Sequence, residues 1–226
     1  MPRDANDRGR PSGRLRGESR VPALDHDTRE RRRAEIVRAA VAVFAERGYF
    51  AARMREVAER AGVADGTLYL YFRGKEDLLV SLLEEYTRAF LVRARRDIAA
   101  LTDPREKLRV VVERHLASLE ADRALAYVFQ IELRHSRRFL RTVARGPLAE
   151  YLQLLQMIMS EGMRAAVFRA DVPAVVAARA VFGAVDELVT SWVLASRPRP
   201  LAAQAGPLLR LLLGGLAAVG GGRADG

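Results

Sequence analysis

The 226-residue sequence contains no cysteine, and Lys75 and Lys107 are its only lysines. Without cysteine there is no disulfide framework, no thiolate metal site and no cysteine nucleophile. The three histidines, His26, His115 and His135, lie far apart and give no metal-ligand spacing. Strand-type alternation and internal repeats are also missing. So are a Gly-rich phosphate loop, a nucleophile elbow and an acid–base pair at credible spacing. No apolar run is long and clean enough for a membrane span: Val172–Ala195 carries Arg179, Asp186 and Glu187, and Pro207–Val219 is short and contains Arg210. The N-terminus has no apolar stretch of signal-peptide length. These absences argue against an enzyme, a metal or cofactor protein and a membrane protein, and point to a cytoplasmic location.

What is present fits a packed globular chain. Half of the residues are hydrophobic and 29% are charged, and the length suffices for one or two domains with a real core. The formal net charge of +10 suggests either a polyanionic partner or a solvated basic surface. Residues 1–28 are rich in Arg, Asp, Gly, Pro and Ser without periodicity, which reads as a disordered arm that is either a leader or a phosphate-touching extension. Beyond it every periodic segment is helical, so the expected fold class is all-α. Ile36, Ala40, Val43 and Phe44 recur at helical spacing and stop at Gly48. Short helices follow over Met54–Ala61 and Asp65–Phe72. A long one starts near Lys75. Asp103-Pro104 and Asp122 open two more, as do Pro147 and Pro173. Leu208, Leu211, Leu212 and Leu216 mark a last helix, and 221–226 reads as a flexible tail. The expected division is a three-helix N-terminal domain over 29–77 and a larger helical domain over 78–220.

Two short helices joined by a tight Gly-containing turn have the spacing of a helix-turn-helix. Gly62 allows the turn, and Ala58, Val63 and Leu68 are small or apolar enough to hold the helices together. The second helix then offers Asp65, Gly66, Thr67, Tyr69 and Tyr71. Gly66 permits close backbone approach to a duplex, Thr67 and Tyr71 have hydroxyls for phosphates, and the Tyr69 ring suits a thymine methyl or a sugar. Lys75, at the start of the next helix, is placed to hold a phosphate. On spacing alone an ordinary helical hairpin with Tyr69 and Phe72 in its core stays open.

The stretch from Ile36 to Leu79, and above all AGVADGTLYLYF followed by Lys75-Glu76, resembles the DNA-binding domain of the TetR/AcrR regulators. The resemblance implies three DNA-binding helices followed by a helical domain for ligand binding and dimerisation, acting on double-stranded operator DNA. Carried onto matching positions, it implies operator contacts by Arg55, Asp65, Gly66, Thr67, Tyr69, Tyr71 and Lys75. Two positions depart from the pattern: Ala52 and Ala64 stand where the family often has a hydroxyl cap, whose loss typically costs about 0.5–2 kcal/mol. Asp65 is placed to substitute for the second cap, which would leave it less free to read a base.

In the larger domain Arg134, Arg137, Arg138, Arg141 and Arg145 fall within twelve residues, with no carboxylate between Glu132 and Glu150. On a helix 134, 138, 141 and 145 share one face, where like charges repel unless solvent or an anion neutralises them. The cluster is therefore either a solvated basic surface or an anion site beside an apolar channel. Channel candidates are Phe129 and Leu133, then Tyr151, Leu155 and Met159, then Phe182 and Trp192, although each equally suits a core. Asp186 interrupts an apolar helix, either as a buried acid with a polar partner or at a dimer edge. His115 sits on an apolar face as a satisfied core histidine or a pocket hydrogen-bonding group.

The segments HLASLEADRALAYVFQIELRHS and VFGAVDELVTSWVL are similar to the effector domains of fatty-acid-degradation regulators within that family. This implies a repressor of β-oxidation genes released by long-chain acyl-CoA, with Arg134, Arg137, Arg138 and Arg141 as candidates for the CoA phosphates. The expected assembly is a homodimer built from Pro173–Leu194 and Ala205–Ala217, on a palindromic operator. Competing readings are a regulator sensing a drug or another lipophile, an acyl-CoA enzyme, and an acyl-CoA-binding module without DNA affinity.

Overall fold

The computed structural model describes residues 26–132 and 146–217, and the described residues form nine α-helices and one short 3-10 turn. They are α1 (His26–Arg47), α2 (Met54–Ala61), α3 (Asp65–Tyr69), α4 (Lys75–Ile98), α5 (Pro104–Glu120), α6 (Arg123–Gln130), α7 (Pro147–Arg164), α8 (Ala174–Leu194) and α9 (Ala205–Leu216). The expected all-α class is what is observed. The first helix begins at His26, so residues 26–28, read from sequence as the end of the arm, are helical. The rest of the arm, the tail and the arginine-rich stretch 133–145 lie outside the described residues.

Local chemistry accounts for the helix ends. Gly48 and Gly62 adopt positive φ of 76° and 65°, where a Cβ would be strained. Asp103 accepts the Arg105 N–H at 2.8 Å and Asp122 accepts the Leu125 N–H at 2.9 Å, so both read as side-chain N-caps. Before α2 the cap residue is Arg53 rather than Ala52, which is buried. Glu56 reaches back to accept the Arg53 N–H at 2.8 Å, satisfying the amide of the cap residue itself. The third helix ends earlier than its sequence pattern suggests. Beyond it, hydrogen bonds from Leu70 N–H to Thr67 O and from Tyr71 and Phe72 N–H to Leu68 O form a tight turn that carries Phe72 inward.

Two cores result. The smaller joins Ile36, Phe44, Val57, Ala58, Leu68, Phe72, Leu78 and Leu79. The larger runs from Phe90 and Leu91 through Val111, Leu116, Leu155, Met159, Val181 and Val189 to Leu208 and Leu209. The long helix α4 supplies side chains to both, Leu78 and Leu79 to one and Phe90 to Ile98 to the other. The short helix α6 is wedged between them: Val128 is buried in the small core, Ala126 in the large one, and Leu125 packs with Val41 and Leu82. Arg123, at the start of α6, donates to Val193 O at 3.0 Å and Ala195 O at 2.9 Å, capping the end of α8. Glu120 accepts the Leu201 and Ala202 N–H groups at 2.8 and 3.0 Å and holds the approach to α9.

Candidate functional site

The front of the molecule presents α3 outward. Leu68 is buried and anchors the helix, while Asp65, Gly66 and Tyr69 on its other side are exposed. Tyr69 is 55% exposed, which excludes it as a core residue and favours the surface role expected of it. Phe72 does enter the core. A Cβ added at Gly66 would meet nothing within 4 Å, so its small size serves no packing need within the chain. Asp65 is the exposed first residue of α3 rather than its cap, which is Ala64. Thr67 and Tyr71 are half-buried. The Tyr71 ring lies under the Arg29 guanidinium at 5.9 Å, and the Arg33 guanidinium lies 5.0 Å from the Phe72 ring. These contacts bring the basic start of α1 beside the helix-turn-helix. Arg29 and Arg33 thereby join the candidate residues, and the run Arg29-Glu30-Arg31-Arg32-Arg33 is their signal in the sequence.

Arg55 and Lys75 are less simply placed. Arg55 is exposed and pairs with Glu59 at 2.7 Å. Such a surface pair is worth about 0–1 kcal/mol, so a phosphate competes easily for the guanidinium. Lys75 turns back onto the loop before α2. Its Nζ donates to Phe50 O and Ala52 O, both at 3.0 Å, and sits 4.7 Å from the centre of the Tyr49 ring. Partial burial lowers its pKa. Two of its three N–H groups therefore secure the loop carbonyls, a role the position at a helix start did not reveal.

In the rear domain the structure gathers several of the expected ligand residues into one aromatic cluster. Tyr151 lies 5.2 Å from Phe90, 5.2 Å from His115 and 5.8 Å from Phe182 between ring centres. Phe129 packs edge-on against Tyr86 at 5.1 Å, one helical turn before Phe90 on α4. Leu155 and Met159 follow Tyr151 along the same face of α7, both fully buried. Trp192 is not part of this cluster. It lies ten residues beyond Phe182, about 15 Å along α8, with the Arg123 guanidinium over its ring at 5.5 Å. Leu133, Arg134, Arg137, Arg138 and Arg141 lie outside the described residues.

Two polar contacts punctuate this apolar interior. His115 Nδ1 and the Tyr151 hydroxyl are 2.9 Å apart. Burial pushes the His115 pKa down to about 4, so the ring is neutral at pH 7, and burial raises that of Tyr151. Gln130 donates to Asp186 Oδ1 at 2.9 Å and accepts the Thr190 hydroxyl at 3.0 Å. Asp186 is thus a carboxylate with a polar partner, joining α6 to α8. A separate cleft of about 460 Å³ lies between α1, α4 and α6, lined by Val37, Arg38, Val41, Leu82, Glu85, Tyr86, Asp122 and Leu125 among others. None of the expected ligand residues lines it. The described residues contain no metal-ligand cluster and no helix long and apolar enough to cross a membrane.

The comparisons agree with both halves of this arrangement. The chain matches the tetR family of bacterial regulatory proteins over residues 36–82 and the C-terminal region of YsiA-like proteins over residues 83–215. It is 39% identical over 182 residues to the fatty acid metabolism regulator protein of Bacillus subtilis, spanning 80% of this chain and 94% of that one. It is similar to the crystal structure of the transcriptional regulator FadR from Bacillus subtilis in complex with stearoyl-CoA, with a TM-score of 0.78, 37% identity and coverage of 81% and 98% of the two chains. The fatty acid degradation regulator FadR from Bacillus halodurans is similar too, with a TM-score of 0.77, 40% identity and coverage of 81% and 98%. This chain belongs to the tetR family of bacterial transcriptional regulators, dimeric proteins that bind operator DNA.

Proposed function

We propose that this protein is a cytoplasmic, non-enzymatic repressor of fatty-acid degradation genes, released from a palindromic operator by long-chain acyl-CoA. The observation that carries the reading is its similarity, over 98% of that chain, to a regulator holding stearoyl-CoA. The chemistry of the residues supports it. Phe129, Tyr151, Leu155, Met159 and Phe182 provide the apolar wall an acyl chain requires, and Leu133 is a further apolar candidate in the sequence. Arg134, Arg137, Arg138 and Arg141 provide charge for the CoA phosphates. Trp192, held by Arg123, closes the far end of α8.

At the other end, Gly66 and Tyr69 approach the major groove, and the Thr67 and Tyr71 hydroxyls and Arg55 take phosphates. Asp65 stands at the groove edge, and Lys75 holds the preceding loop in position. Two copies of α8 and α9 form the dimer interface, where Val176, Leu194 and Leu211 are exposed on one protomer. Two-fold symmetry then sets the recognition helices roughly 34–36 Å apart. Effector binding lowers DNA affinity by favouring a conformer whose recognition helices no longer match that spacing.

Thermal unfolding against CoA, free fatty acids, acyl-CoAs of graded length and several cationic drugs tests the effector without knowledge of the operator. A ligand at 100 times its dissociation constant adds roughly 2.7 kcal/mol, a visible shift. A shift confined to long-chain acyl-CoA is the expected result. A shift with drugs alone, or with no acyl-CoA, contradicts the effector assignment and leaves the DNA-binding regulator standing.

A further inference from the structure

We propose that Glu132 is a positioning residue: its carboxylate, held on the Tyr49 amide, fixes the helix-turn-helix in its operator-binding position and reports effector occupancy to it. The inference rests on the functional reading above only for the nature of the effector.

The Tyr49 N–H donates to Glu132 Oε2 at 2.7 Å, across 83 residues of sequence. Glu132 is 8% exposed, one of two buried polar or charged residues among the described ones. The other is Gln130, two residues earlier. A carboxylate is costly to bury without a strong partner, so a buried glutamate that accepts a backbone amide is a specific attachment rather than a solvated charge. The carboxylate also lies against the turn that ends α1: a Cβ added at Gly48 would be in ordinary contact with Glu132 Oε1 at 3.6 Å, and Gly48 makes the turn at φ +76°.

Each neighbour of this contact leads somewhere functional. Gln130 is hydrogen-bonded to Asp186 and Thr190 of α8, so the end of α6 is tied to the dimerisation helix on one side. Glu132 ties it to the front bundle on the other. Arg134, a candidate phosphate ligand, is only two residues further along the chain. On the front side, the Tyr49 ring meets the Lys75 ammonium, whose other contacts are the carbonyls of Phe50 and Ala52, just before α2. A shift of residues 130–132 is therefore delivered to a backbone atom at the entrance of the helix-turn-helix. No side chain on the DNA-binding side has to sense the effector.

The test compares wild type, Glu132→Ala and Glu132→Gln on a palindromic duplex that the wild type selects from a randomised pool, with and without palmitoyl-CoA. The amide oxygen of glutamine can still accept the Tyr49 N–H, whereas alanine cannot. Without palmitoyl-CoA, Glu132→Ala is expected to bind the duplex at least fivefold more weakly and Glu132→Gln within twofold of wild type. Palmitoyl-CoA should bind Glu132→Ala at least as tightly as wild type and change its DNA affinity by a smaller factor, as linkage requires. Equal DNA affinities for wild type and Glu132→Ala overturn the proposal, and so does an equal loss in both variants. A wild type that palmitoyl-CoA does not release contradicts the effector assignment, while the DNA affinities still decide the role of Glu132. Should Glu132→Ala fail to fold, amide exchange of the wild type decides it. The Tyr49 amide is expected to be protected alone and to exchange at least tenfold faster with palmitoyl-CoA. An amide that exchanges like an exposed loop, or one indifferent to palmitoyl-CoA where palmitoyl-CoA releases DNA, overturns the proposal.

Discussion

The two halves of the molecule treat their functional residues in opposite ways. The front bundle completes its core with Leu68 and Phe72 and leaves Gly66 and Tyr69 outside it, with open space around Gly66. The rear domain packs Tyr151, Leu155 and Met159 into the same core that holds it together. A surface reader needs only to be rigid and correctly aimed. An internal sensor must trade packing between its own side chains for packing against a ligand, so occupancy and conformation are coupled from the outset. The short helix α6, proposed above to link the two halves, is buried in both cores at once.

Substitutions should separate the two designs, beginning with stability. Leu155→Ala removes a fully buried side chain and should cost about 2–5 kcal/mol in urea unfolding. A cost below 1 kcal/mol would mean that the rear core already yields at that position, as a ligand channel would.

Acid should act on the rear domain through His115. Its folded pKa of about 4 lies below the ordinary histidine value of 6.5, so the unfolded chain binds more protons between those limits. Its contribution to stability therefore falls as pH drops from about 6.5 to 4, by up to about 3 kcal/mol. Unfolding free energies measured over that range should lose this component in His115→Gln. An identical slope in the variant would show the ring to be solvated rather than buried.

Packing at the end of α7 gives a third contrast. A Cβ at Gly162 would overlap the ring of Phe168, which is buried. Gly162→Ala should cost about 1–3 kcal/mol through overpacking, read as a lower unfolding midpoint. Gly66→Ala, with open space around it, should leave the midpoint within about 1 kcal/mol of wild type.

The smallest effect on stability is expected at the front surface. Tyr69→Ala should change unfolding free energy by no more than about 0.5 kcal/mol yet weaken operator binding tenfold or more. A variant that loses stability and keeps DNA affinity would reverse the comparison between the two regions.

What could be read in the sequence follows the same division. The helix-turn-helix was legible because its signals are local: Gly62 at the turn, small Ala58 against Leu68, and a hydroxyl- and aromatic-bearing second helix. The candidate pocket was legible only as a set of apolar residues, since Tyr151 and Leu155 have the same sequence signature whether they line a channel or fill a core. The structure shows Tyr151 with Phe182 and His115 in one cluster, and Trp192 elsewhere under Arg123. Long-range contacts left no trace in the pattern. Nothing near Glu132 announces that it will meet an amide 83 residues away, and Lys75 at a helix start gives no hint that its ammonium folds back onto two carbonyls. The missing hydroxyl cap at Ala52 was visible, but the cap falls one residue later, at Arg53, whose own N–H is accepted by Glu56.

The most direct test of the account is its reciprocity. The dissociation constant of the operator duplex is measured with and without saturating palmitoyl-CoA, and that of palmitoyl-CoA with and without saturating duplex. If an acyl-CoA sensor in the rear domain controls the front surface, each ligand should weaken the other by the same factor, expected to be at least tenfold. Two ligands that bind tightly and leave each other's affinity unchanged would contradict the account.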